Sequence, residues 1–118
     1  MRNLALIFLT AFMIFISKSL YSQVLVSPGN INYPTIASAF TAINSGTFSD
    51  GPKTITIIGD VFETGTSVPI FNWYCSSLNI GTTGNFTVTS DYEGYIITVG
   101  GIPTVNIDGR IGGTGSDI

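Results

Sequence analysis

Histidine is absent from this chain, and cysteine occurs once, at Cys75. Those two facts remove much of the usual catalytic chemistry. A Ser-His-Asp or Cys-His apparatus needs an imidazole, and a His-ligated or multi-cysteine zinc site needs ligands the chain lacks. Carboxylate, hydroxyl, amide and aromatic chemistry remain. Asp108 and Arg110 flank a glycine and are the sharpest polar candidates. A carboxylate can move protons at a glycosidic bond, and an arginine can deprotonate a sugar acid. The plainer reading is a solvated corner in which Asp108 bonds its own turn. Asp91 and Glu93 stand two apart, too few for calcium, which takes roughly six to eight oxygens. Cys75 follows Trp73 and Tyr74 and reads as a small buried hydrophobe. A reactive thiol would need cations nearby, and none is close in sequence. Trp73 and Tyr74, with Tyr92 and Tyr95, suit a stacking platform for sugar rings, though core packing is the simpler use of such residues. Gly109 to Gly115 follows an expected strand but lacks the Gly-Lys-Ser/Thr ending of a phosphate loop. The residues therefore assign no catalytic, cofactor or metal position.

Short strands must carry these groups. Lys53 to Val61 alternates Ile55 and Ile57 with Thr54 and Thr56, the pattern of a strand buried on one face. Further short runs follow at 67–71, 77–80, 86–89, 95–99 and 104–107, separated by Gly, Asn, Ser or Asp. One helix is expected, beginning at Tyr33-Pro34-Thr35 and ending at Asn44-Ser45-Gly46. Ile36, Ala39, Phe40 and Ile43 recur at i, i+3, i+4 and i+7 and so share a face. Gly46 suits the left-handed position after a helix. Before it, Val24-Leu25-Val26 reads as an edge strand, and Ser27-Pro28-Gly29-Asn30 as a turn.

A recurrence orders the strands. The Thr54–Ile57, Ser77–Ile80 and Thr104–Ile107 units share the pattern small polar, aliphatic, polar, Ile, and they begin at residues 54, 77 and 104. Repeats of roughly 20 to 45 residues mark solenoids. A spacing in the twenties with strands suits a coil of stacked parallel strands. A β-sandwich is the alternative, since short strands with turn signals fit that too.

The N-terminus carries its own signal. Arg2 precedes a stretch of about 13 residues without charge, Leu4 to Ile16, and small polar residues follow from Ser17 to Ser22. Basic start, apolar run and small-residue zone describe a secretory signal peptide. The run is short of the roughly 20 residues a spanning helix needs. Cleavage is expected between Ser22 and Gln23, leaving a mature chain that works outside the cytoplasm and does not span the membrane. That part holds only Lys53 and Arg110 against seven acids, a formal net charge of −5. No Lys/Arg cluster exists, so nucleic acid is not an expected partner.

Two stretches carry a resemblance. One is Tyr33 to Thr47 followed by Ile55-Thr56-Ile57-Ile58-Gly59-Asp60 and Glu63-Thr64; the other is Val105-Asn106-Ile107-Asp108-Gly109-Arg110 through Ser116. Together they resemble the start of large exported surface proteins of Bacteroidetes-type bacteria, right-handed parallel β-helices of the pectin-lyase-like superfamily. The resemblance implies a coil whose N-terminal end is capped by the short helix, with the Ile-Asp-Gly segment in a strand and its corner. It also implies a longer protein, with residues 1–22 as leader, 23–52 as lead-in and capping helix, and 53–118 as the first turns of a truncated β-helix. The expected fold is thus all-β, a right-handed parallel β-helix with a capping helix faced by Ile36, Ala39, Phe40 and Ile43. The expected role is an exported, non-enzymatic, adhesin-like surface protein without a cofactor, with surface glycans or cell-surface proteins as partners. The alternative is the N-terminal part of a carbohydrate-active β-helix enzyme, a polysaccharide lyase or glycoside hydrolase with catalytic residues beyond Ile118.

Overall fold

Alternation of buried and exposed side chains decides where the strands lie in the computed structural model, which describes residues 22–92, 94–108 and the backbone of 112–113. The leader, Glu93 and Arg110 lie outside the described residues. Strand β1 (Val24–Ser27) buries Val24 and Val26. The turn at Pro28-Gly29-Asn30 reverses the chain into β2 (Ile31–Tyr33), which pairs antiparallel with β1. After helix α1 (Ile36–Asn44) come β3 (Lys53–Ile57), β4 (Val61–Glu63), β5 (Ile70–Phe71), β6 (Leu78–Thr82), β7 (Thr87–Ser90), β8 (Val99–Gly100), β9 (Val105–Ile107) and β10 (Gly112–Gly113).

These strands form a five-stranded sheet in the order β2-β1-β3-β6-β9, a three-stranded sheet β10-β7-β4 and a two-stranded sheet β5-β8. In the largest sheet β1 pairs antiparallel with both neighbours, while β3, β6 and β9 pair parallel. The expected right-handed parallel β-helix is therefore corrected. The principal sheet is mixed, it opens with an antiparallel hairpin, and no sheet among the described residues closes on itself or runs on as a solenoid face. Separate sheets layered on one core fit the β-sandwich-like alternative better. The physical reason lies in the lead-in. Val24 and Val26 face the core opposite Ile57 and Ile55, so β1 joins the sheet from the side the recurrence says nothing about. Nor is β1 an edge strand: Ile31-Asn32-Tyr33 folds back outside it and takes the edge.

Helix α1 forms where the apolar spacing places it, and its four inward residues, Ile36, Ala39, Phe40 and Ile43, are all buried. It touches strands from all three sheets: β1 and β2, β4, and β5. Its N-cap is Thr35, and Pro34 precedes the cap. Thr35 and Ser38 form a capping box, with the Ser38 N–H donating to Thr35 Oγ1 at 3.1 Å and the Thr35 N–H to Ser38 Oγ at 3.2 Å.

The other end closes as a Schellman motif. The Gly46 N–H donates to the Ile43 carbonyl and the Thr47 N–H to the Ala42 carbonyl. Gly46 has φ +82°, and a Cβ there would sit 3.1 Å from the Tyr74 ring. Gly46→Ala should cost about 1–2 kcal/mol, the left-handed penalty for a residue with a Cβ, and should displace Tyr74. Urea unfolding with Tyr74 contacts followed by NMR checks both.

Candidate functional site

The aromatic residues after β5 form the most organised exposed surface of the described chain. Strand alternation explains their direction: Ile70 is fully buried, and Phe71 turns outward. The strand is held from two sides. On the β8 side the Ile70 N–H donates to the Thr98 carbonyl at 2.9 Å and the Asn72 N–H to the Gly100 carbonyl at 3.2 Å. On the helix side Asn44, the last residue of α1, donates from Nδ2 to the Pro69 carbonyl at 2.8 Å, and its Oδ1 accepts the Phe71 N–H at 3.1 Å.

The Phe71 ring lies over its register partner Gly100, where a Cβ would come within 2.7 Å of Cδ1. The Trp73 ring stacks on Phe71 with centroids 4.6 Å apart and planes 22° from parallel. Trp73 nevertheless remains 60% exposed. Tyr74 next to it lies against Gly46 and is 39% exposed. The result is a layered surface: glycine floor, Phe71, then an indole open to solvent. An offset aromatic stack of this kind contributes about 0.5–1.5 kcal/mol beyond area burial, enough to fix the indole's orientation.

Of the four aromatics named from sequence, Trp73 and Tyr74 belong to this surface. Tyr92 does not. It is half-buried, and burial pushes its hydroxyl above the ordinary tyrosine range, with the charges of Glu63 and Asp91 adding to the rise. Tyr95 is exposed, but among the described residues the ring contacts are Phe71–Trp73 and Tyr33–Phe48. Phe71 is not named in the sequence-based platform, because β5 ends at Phe71 and the turn that follows brings Trp73 back onto its ring.

The other candidates are tied into the scaffold. Asp108 is half-buried, and its N–H donates to the Ile80 carbonyl at 2.8 Å. Its proposed companion Arg110 lies outside the described residues, as does Glu93. Asp91 Oδ1 accepts the Gly65 N–H at 3.1 Å, and Asp60 Oδ1 accepts the Thr87 N–H at 3.0 Å. Among the described residues no three His, Cys, Asp or Glu side chains gather where a metal ion would need them. Gln23, on the mature side of the expected cleavage point, is locked into the main sheet: its N–H donates to the Tyr33 carbonyl and its carbonyl accepts the Ile58 N–H.

Cys75 is fully buried and donates to the Ser77 carbonyl at 3.2 Å. Burial pushes its thiol upward; Lys53 pulls the other way and Asp50 adds to the rise. The cation missing from the local sequence is thus supplied through space by Lys53. That lysine is itself buried, with Nζ donating to the Ser49 carbonyl at 2.6 Å and the Gly51 carbonyl at 3.1 Å.

Glu63 enters the sequence reading only as part of the resembling stretch, and the structure gives it a role unforeseen there. It is 1% exposed and accepts from the first two helical N–H groups of α1, Ile36 to Oε2 at 2.8 Å and Ala37 to Oε1 at 2.9 Å. With the Ser38 N–H bonded to Thr35 Oγ1 and the Thr35 N–H to Ser38 Oγ, the four orphan donors of the helix start, Thr35 to Ser38, are all satisfied. Desolvation pushes the Glu63 carboxyl above its ordinary range, against the two backbone bonds that favour the charged form.

The site thus consists of a β-rich scaffold in which Asp60, Glu63 and Asp91 hold backbone N–H groups while Trp73, Tyr74 and Tyr95 face water. Compared with known proteins, the chain matches no family model, no curated protein and no solved structure. No helix among the described residues is long and apolar enough to cross a membrane.

Proposed function

We propose that this is an exported, non-enzymatic recognition protein of the adhesin-like kind, acting on surface glycans or other cell-surface proteins. The carrying observation is the Phe71–Trp73 stack, which holds a large aromatic face in water on a bonded backbone. A second feature supports it. The carboxylates of Asp60, Glu63 and Asp91 each accept backbone N–H groups and tie distant segments together. A carbohydrate-active enzyme would instead present a carboxylate pair flanking a bond. Export rests on the leader sequence.

The test uses the full exported protein. Retention on immobilised glycans and on whole cells is measured for wild type and Trp73→Ala, beside assays for released reducing ends and unsaturated sugar products. Wild type is expected to be retained without product formation, and Trp73→Ala to be retained less. Catalytic release of product would overturn the proposal in favour of the enzyme, and no retention on any surface would end the recognition reading.

A further inference from the structure

We propose that the open indole face of Trp73 binds the C–H face of a neutral pyranose within a glycan chain. This rests on the recognition reading and names its ligand class. Three observations carry it. First, the face is preorganised: Phe71 lies on Gly100 and Trp73 on Phe71, with the strand pinned by Asn44 and by the Thr98 and Gly100 carbonyls. Little side-chain freedom is lost when a ring stacks on it, and that is the main gain from preorganisation.

Second, the surface of the described residues offers no cation to an acidic sugar. Lys53 is the single cation among the described residues, and it is buried on the Ser49 and Gly51 carbonyls. Seven acids against Lys53 and Arg110 give the chain after residue 22 a negative field that repels uronates. Third, the platform is one open ring: Phe71 covers one side of the indole, and Trp73 stays 60% exposed. A proline-rich peptide is the less suitable occupant, because it docks in a groove lined by several aromatic residues.

Trp73 is the only tryptophan of these 118 residues, and the emission lost in Trp73→Ala isolates its signal. The full exported protein is titrated with four neutral probes, cellotetraose, chitotetraose, mannotetraose and galactotetraose, and with tetragalacturonate and decaproline. A saturable emission change with at least one neutral probe is expected, with tetragalacturonate about tenfold weaker or absent. Calorimetry should show a loss of about tenfold or more in Trp73→Ala, the scale of losing one stacked ring. Phe71→Leu should weaken binding while circular dichroism stays unchanged.

Silence with all four neutral probes overturns the inference. So does tighter binding of tetragalacturonate or decaproline, or unchanged neutral binding in Trp73→Ala. Retention of Trp73→Ala on cells would leave the recognition reading standing while this site assignment fell; absence of wild-type retention would remove the reading itself.

Discussion

Phe40→Asp yields a chain that aggregates or fails to fold. Phe40 is fully buried and belongs to the same apolar cluster as Val24, Val26, Ile55, Ile57 and Ile70. Removing a phenyl group from such a site costs about 3–5 kcal/mol by itself. An unpaired carboxylate there adds a desolvation penalty of several kcal/mol. A domain stable by about 5–15 kcal/mol does not absorb both. The helix touches all three sheets, so losing its inward face loosens every layer at once. Soluble yield and the thermal transition by circular dichroism read the outcome. The control is Thr41→Lys, on the exposed face of the same helix, which should stay within about 0.5 kcal/mol of wild type. A soluble Phe40→Asp protein with an unchanged transition would remove α1 from the centre of stability.

Much of the secondary structure was readable because its cause is local. The spacing of Ile36, Ala39, Phe40 and Ile43 and the glycine at 46 are helix signals that depend on neighbours alone. Strand register was partly readable. The 27-residue interval between the Ser77 and Thr104 units matches the observed pairing of Leu78 with Val105 and Ile80 with Ile107. The 23-residue interval does not. Lys53 pairs with Leu78 and Ile55 with Ile80, an offset of 25. The error is two residues, which preserves the buried face because side chains alternate with period two. Lys53 hid the true register, since a buried lysine looks polar in sequence. How the sheets assemble was not readable. The recurrence speaks of which strands stack, and the antiparallel β1–β2 hairpin that makes the main sheet mixed lies outside it.

The site was legible in the same uneven way. Trp73 and Tyr74 could be named as a possible platform, but what makes them one is not in their neighbourhood. Gly100 supplies the floor from β8, 29 residues beyond its partner Phe71, and Asn44 supplies the clamp from the helix end. Asn44 also relates the platform to the opposite end of α1. Glu63 holds the helix start to β4, and Asn44 holds the helix end to β5. One short helix, too short to be stable alone, is thus fastened at both ends by side-chain bonds to strands of two different sheets.

Glu63→Ala should destabilise the protein by about 2–4 kcal/mol, because it leaves two helix-start donors without acceptors in a largely buried site. Glu63→Gln should cost less, since the amide oxygen still accepts one N–H while its NH2 group faces the other. The pH dependence follows from the direction of the carboxyl's shift. Burial raises Glu63 above its ordinary value near 4.3, outweighing the Ile36 and Ala37 bonds. The folded state therefore holds the proton more tightly than the unfolded chain. This group's contribution to stability is fully present below the ordinary value and is lost as pH rises through the raised one. Urea midpoints measured from mildly acidic to neutral pH should show wild type losing stability relative to Glu63→Gln across that window, with the difference constant above it. The opposite slope, with wild type gaining on Glu63→Gln as pH rises, would mean that the two backbone bonds outweigh desolvation and that the carboxylate is clamped in its charged form.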